Sequence, residues 1–279
     1  MRLRSIYWQD EPAVVREEPD GRLLRLAGVE AIGAPTPLEL LRESAASASE
    51  ELDPASVRAR PAVPDPHRIV CVGLNYREHI EESGRSESDY PVLFTKWASS
   101  LVADGAPVIL PPEASAGDYE AELAVVIGKR GRRIPAELAI EHVAGFTIAN
   151  DVTMRDYQQK THQWLQGKAW DASTPLGPAL VTLDELENPF DLEISLELNG
   201  EMMQRSRTSL LIFDIPTLIA TISEFTELEP GYIVLTGTPS GVGYRREPRV
   251  CLADGDRMRI TIEGLGTLEN PVVAEAVAR

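Results

Sequence analysis

Cysteine is scarce in this chain. Only Cys71 and Cys251 occur, far apart and without C-x-x-C spacing, which supplies neither a disulfide framework nor a zinc ribbon. Cys71, inside Ile69-Val70-Cys71-Val72, reads as a buried core thiol. No apolar run approaches the roughly 20 residues that span a bilayer, which argues against a membrane segment. The N-terminal Met1-Arg2-Leu3-Arg4-Ser5-Ile6-Tyr7-Trp8 lacks the apolar core and cleavage site of a signal peptide, so the expectation is a cytoplasmic protein. Positive charge is also short: 27 Lys and Arg against 44 Asp and Glu give a formal net charge of −17. A nucleic-acid partner, which needs clustered basic residues to displace counterions, is therefore not expected. Any anionic substrate must be drawn in by a local cationic cluster or a metal, against the field of the whole molecule. The four histidines form no H-E-x-x-H pattern, which excludes a zincin.

What is present is the composition of a globular protein, 43% hydrophobic and 25% charged. Residues 1 to about 60 alternate short apolar runs with turns such as Pro19-Asp20-Gly21, reading as a small β-rich unit with a helix near 37–52. Three prolines in Pro61-Ala62-Val63-Pro64-Asp65-Pro66 mark a linker. The expected division is a small N-terminal domain, 1–62, and a larger domain, 67–279, the one expected to hold any active site. Strand-like segments recur at 69–73, 92–95, 108–110, 122–128, 144–150, 192–198, 232–236 and 257–263. Helices are expected at 76–83, 135–141, 153–160 and 214–225, too few to cover both faces of a parallel sheet. The fold class is α+β, β-dominated, rather than doubly wound.

The segment Gly117-Asp118-Tyr119-Glu120-Ala121-Glu122-Leu123-Ala124-Val125-Val126-Ile127 puts two carboxylates at the head of a β-branched run. On a strand, Glu120 and Glu122 share one face roughly 6–7 Å apart, a pair of hard oxygen ligands suited to Mg²⁺ or Mn²⁺. Asp151, ending the apolar run 144–150, is either a third ligand or the cap of the next helix. On a helix after Gly73, His79 and Glu82 stand three residues apart, and the carboxylate can orient the imidazole as a general base; the alternative is a solvated helix face. Lys168, among Trp164 and Trp170, is either an anion partner for a substrate or a surface lysine lying over Trp170. In Thr236-Gly237-Thr238-Pro239-Ser240-Gly241-Val242-Gly243 the Gly-Lys-Ser/Thr of a phosphate loop is missing. Its glycines are expected to let backbone N–H groups and the Thr238 hydroxyl approach a small oxyanion.

Together these segments resemble the fumarylacetoacetate hydrolase family, in the order that family uses them. The likeness rests on Val72-Gly73-Leu74-Asn75-Tyr76 with His79, Tyr119-Glu120-Ala121-Glu122-Leu123, and Asn150-Asp151-Val152-Thr153 with Arg155, Asp156 and Gln158. Gly167-Lys168 and Leu235-Thr236-Gly237-Thr238-Pro239 with Gly241-Val242-Gly243 complete it. It covers about residues 67–270.

The resemblance implies a mixed β-roll or sandwich with short flanking helices and a homodimer. It implies Mg²⁺ or Mn²⁺ on Glu120, Glu122 and Asp151, a catalytic His79/Glu82 dyad on a lid running from Gly73 to Gly84, and Lys168 at the substrate. Arg155, Gln158 and Thr238 would contact substrate. Trp170, where the family's run differs, would reshape the pocket floor. The implied activity is hydrolysis of a C–C bond in an acylpyruvate through a metal-stabilised enolate. Oxaloacetate decarboxylation, or isomerisation of 2-hydroxyhepta-2,4-diene-1,7-dioate, is the alternative at the same site.

Overall fold

The computed structural model describes residues 1–33 and 36–276, so the segment expected to be catalytic is followed to residue 276. A twelve-stranded sheet runs through the molecule. Ten of its strands lie in the order Glu50–Leu52, Leu23–Arg25, Glu11–Glu17, Arg2–Trp8, Thr174–Val181, Val143–Asn150, Ala121–Ile127, Ile233–Leu235, Ile69–Gly73 and Val92–Lys96. Along this path only Ile233–Leu235 and Ile69–Gly73 pair in parallel. The β-dominated α+β class expected from the spacing is what the chain adopts.

Ala121–Ile127 shows why this sheet is buried on both sides. Its run of apolar residues has no polar face: Leu123, Val125 and Ile127 join one core, Ala124 and Val126 another. The larger core lies between the central sheet and a five-stranded sheet ordered Glu201–Arg207, Glu193–Leu198, Arg257–Ile262, Gly266–Ala274, Val108–Leu110. Glu193–Leu198 and Arg257–Ile262 alternate strictly, with Ile194, Leu196, Met258, Ile260 and Ile262 buried and the intervening residues facing outward. Helix Ile215–Phe225 packs Leu218, Ile219 and Ile222 onto the same core, and Asp214 caps it by accepting from Thr217 N at 2.9 Å.

The first 60 residues extend the central sheet, because Arg2–Trp8 pairs antiparallel with Thr174–Val181. They also hold a small core of their own, Ile6, Ala13, Val15, Leu23 and Leu52. No helix of the described residues is long and apolar enough to cross a membrane.

Candidate metal centre and active site

Two neighbouring strand ends bring three carboxylates together, and Glu120 and Glu122 line one cavity. Glu120 immediately precedes Ala121–Ile127, and Glu122 is that strand's second residue; Asp151 directly follows the neighbouring strand Val143–Asn150. The pairing Ala121 with Asn150 sets the register, and Asp151 N donates to the Glu120 carbonyl at 2.9 Å. One carboxylate oxygen from each of Glu120, Glu122 and Asp151 lies within 4.8 Å of the others, and all three residues are buried. Asp151 caps no helix: Met154 occupies the N-cap of the next one, without a side-chain hydrogen bond.

Cations crowd this cluster. Lys168 Nζ donates to Glu120 Oε2 and to Asp151 Oδ2, each at 2.7 Å, and lies 5.0 Å from the Phe94 ring centroid. It is buried, and it does not lie over Trp170. Lys96, the last residue of Val92–Lys96, donates to Asp151 Oδ1 at 2.8 Å and to the Val152 carbonyl at 3.0 Å. Arg155 Nε donates to Asp118 Oδ2 at 2.8 Å, and its Nη2 makes ion-pair contacts with Asp118 Oδ2 at 2.8 Å and Glu120 Oε1 at 2.7 Å. Spacing did not reveal Lys96 or Asp118. The only sequence signal for either is a charge at the edge of an apolar or motif-bearing run.

Four buried carboxylates, Asp118, Glu120, Glu122 and Asp151, thus face three buried cations, Lys96, Arg155 and Lys168. The imbalance falls on Glu122. Its side chain accepts one hydrogen bond, from Gly237 N at 2.8 Å, and has no salt bridge among the described residues. Burial, then the charges of Asp151 and Glu120, push its carboxyl well above the ordinary range. Glu120 goes the other way. Burial opposes its charge, but Lys168 and Arg155 outweigh it and bring the carboxyl down to about 2. Burial likewise disfavours the Lys168 ammonium, yet Asp151 and Glu120 hold its pKa above the ordinary lysine value. A buried carboxylate left without a cation beside two others is the donor set a hard divalent ion fits, and an added double positive charge would reverse the deficit at Glu122.

Across the cavity stands helix Arg77–Ser83, ended by Gly84 in the left-handed region. His79 and Glu82 meet as expected, Nδ1 to Oε1 at 2.7 Å. His79 is buried rather than on a solvated face, and it lines the cavity with Glu120, Glu122 and Lys168. Asn75 ties the base of this helix down, its Nδ2 donating to the carbonyls of Phe213 and Thr236.

The glycine loop does something other than expected. Its N–H groups are committed to side chains of the protein: Gly237 to Glu122, Gly241 to Glu82 at 2.9 Å, and Gly243 to Asp118 at 2.8 Å. An oxyanion ligand would find these three donors taken. Gly241 has φ +100°, and a Cβ there would lie 2.2 Å from the Met203 carbonyl oxygen, which leaves glycine alone fitting. Thr238 lines the cavity and accepts from Gln204 Nε2 at 2.8 Å. Arg155 and Gln158 line it too, Arg155 Nη1 donating to Gln158 Oε1 at 3.1 Å. Trp170 is a correction. It packs edge-on against Tyr157 with ring centroids 5.0 Å apart and is not among the cavity-lining residues, so it forms no pocket floor. Trp164, stacked edge-on at 5.5 Å to Phe94, takes that place.

Known proteins share this arrangement of sequence. The chain is 45% identical over 238 residues, 85% of its length and 76% of the relative's, to the mitochondrial oxaloacetate tautomerase FAHD2B of Bos taurus. The crystal structure of 5-carboxymethyl-2-hydroxymuconate delta-isomerase from Mycobacterium smegmatis superposes with a TM-score of 0.82 at 37% identity, covering 99% of this chain and 100% of that one. Fumarylpyruvate hydrolase from Pseudomonas aeruginosa, solved with Mn²⁺ and pyruvate, gives 0.70 at 38% identity over 75% of this chain and 91% of its own. The model of the fumarylacetoacetate hydrolase C-terminal family matches residues 68–273. That span holds the three carboxylates, the His79/Glu82 pair and the glycine loop, and the chain belongs to the fumarylacetoacetate hydrolase family.

Proposed function

We propose that the protein moves a proton at the carbon beside the keto group of a small 2-oxo acid, interconverting keto and enol forms, with oxaloacetate as the first substrate to test. The observation that carries this is buried His79, paired with half-buried Glu82 and lining one cavity with Glu120 and Glu122 of the three-carboxylate cluster. The relative named an oxaloacetate tautomerase supports the choice of substrate.

A divalent cation, Mg²⁺ or Mn²⁺, held by Glu120, Glu122 and Asp151 would supply Lewis-acid polarisation of the keto oxygen. With Nδ1 donating to Glu82, the lone pair of His79 sits on Nε2, ready to take a proton from the substrate carbon. The same proton returned to the keto oxygen completes the enol, so nothing is gained or lost overall. Lys168 stays protonated between Glu120 and Asp151, placing a fixed positive charge where negative charge develops on the substrate. Arg155 and Gln158 position the acid group from the cavity wall.

A second reading is hydrolytic cleavage of an acylpyruvate, with His79 activating water in place of abstracting a carbon-bound proton. It is favoured by the likeness to fumarylpyruvate hydrolase. A panel of oxaloacetate, acylpyruvates and a hydroxy-dienedioate, each with Mg²⁺ or Mn²⁺ and with EDTA, separates the readings. Enol absorbance reports tautomerisation, and pyruvate release reports cleavage. We expect metal-dependent loss of enol absorbance to dominate. Acylpyruvate cleavage with the higher kcat/KM would install the second reading, and no metal-dependent turnover on any substrate would sink both. A homodimer, implied by the family likeness, is part of this proposal.

A further inference from the structure

Two arginines at the rim of the cavity face no carboxylate. Arg85 follows Gly84 at the end of the His79 helix, and Arg245 follows the glycine loop; both line the cavity with Gln158, Gln159, Trp164 and Tyr244. Neither makes a salt bridge or a side-chain hydrogen bond among the described residues. Arg85 instead lies over the Trp164 ring, 5.0 Å from its centroid. The contrast with Arg155, the third arginine of the same cavity and held by Asp118 and Glu120, is direct. The carboxylates nearest in sequence do not pair with them: Glu82 is held by His79 and Gly241, Glu87 by Arg77, and Glu247 makes no salt bridge among the described residues. Arg246 donates to the carbonyls of Gly241 and Met203, and Arg249 stacks on Tyr244 at 4.2 Å. Partial burial, then the charges of Arg245 and Arg155, lower the Arg85 pKa, so these guanidinium groups repel one another. In a chain of net charge −17, such a group of unbalanced cations at one cavity mouth calls for an anionic ligand.

Both arginines are exposed, whereas Glu120 and Glu122 of the three-carboxylate cluster line the same cavity from its buried side, where the reading above places the 2-oxo acid head. We infer that Arg85 and Arg245 receive a second carboxylate at the far end of that acid, so that the cavity selects substrates anionic at both ends. The inference rests on the 2-oxo acid reading. Guanidinium forks match a carboxylate in two parallel hydrogen bonds, and the flat Trp164 face under Arg85 limits the orientations it can take.

Calorimetry on Mn²⁺-loaded protein tests it without relying on turnover. Wild type, Arg85→Gln and Arg245→Gln are titrated with pyruvate, which has no second carboxylate, and with 2-oxoglutarate, which has one. Each substitution is expected to weaken 2-oxoglutarate about tenfold, and to exceed its effect on pyruvate at least fivefold. Equal losses on both ligands, or none on 2-oxoglutarate, overturn the subsite while leaving the 2-oxo acid reading in place. Wild type that binds neither ligand overturns both.

Discussion

The N–H of Gly241 donates to Glu82 Oε2 at 2.9 Å while Glu82 Oε1 meets His79 Nδ1 at 2.7 Å. One carboxylate therefore fixes the imidazole and fastens its helix to the glycine loop. Removing it as Glu82→Ala frees the ring to rotate, and turnover should fall by about 100-fold. Metal affinity should be unchanged, because Glu82 touches none of the three proposed ligands. Kinetics and a Mn²⁺ titration on the same sample check this, and near-wild-type turnover would remove Glu82 from the mechanism.

Lys96 offers a test of the charge balance. Lys96→Met leaves the Asp151 carboxylate with one fewer buried cation, which for a broken buried pair costs on the order of 3–5 kcal/mol in metal-free protein. A divalent ion restores positive charge at the same oxygens, so Mn²⁺ should raise the Tm of this variant more than that of wild type. Equal thermal shifts in the two proteins would show that Lys96 does not share the load at Asp151.

Glu122 sets the response to pH. Its pKa is raised in the folded protein above the ordinary 4.5, so the native state holds its proton more tightly than the unfolded chain does. The metal-free protein should accordingly lose stability as pH climbs from about 4.5 toward that raised pKa. Glu120, brought down to about 2, contributes stability of the opposite sense, present above its unfolded value and lost as pH falls toward about 2. Binding of Mn²⁺ should release a proton from Glu122, making the calorimetric enthalpy depend on the buffer. Urea melts with EDTA and with Mn²⁺ across this range give the check, and parallel curves would contradict it.

Trp170→Ala separates packing from recognition. Loss of the edge-on contact with Tyr157 and of the bond from Nε1 to the Gln166 carbonyl should cost about 2 kcal/mol of stability. Ratios of kcat/KM among 2-oxo acids should hold, since Trp170 does not line the cavity. A reordered substrate preference would return this side chain to the pocket.

Much of this architecture can be read from the chain, and the failures have physical causes. Glu120 and Glu122 were legible because charge at the head of a fully apolar strand has few places to go, whereas spacing left Asp151 as either ligand or helix cap and only the family resemblance put it with the other two. The strand Thr174–Val181 was not anticipated, as Pro175 and Pro178 in a central strand deprive it of ladder donors and break the pattern that marks strands. The partners of the carboxylates were largely hidden for another reason. Lys96 reaches Asp151 across 55 residues of sequence, and Asp118, itself a carboxylate, meets Arg155 across 37, both through tertiary placement. The glycine loop was recognised, but its spacing could not say that its donors were already engaged by Glu122, Glu82 and Asp118.

That engagement divides the cavity into a conservative half and a plastic one. A change in the backbone of 237–243 disturbs a proposed metal ligand, the imidazole's partner and the counterion of Arg155 together, so few substitutions there leave a working protein. Arg85 and Arg245, on the other rim, make no salt bridge or side-chain hydrogen bond among the described residues, so changing them leaves the proposed metal ligands and the His79 partner in place. New substrate preferences can arise there by single substitutions, and directed evolution of this scaffold is best aimed at those positions.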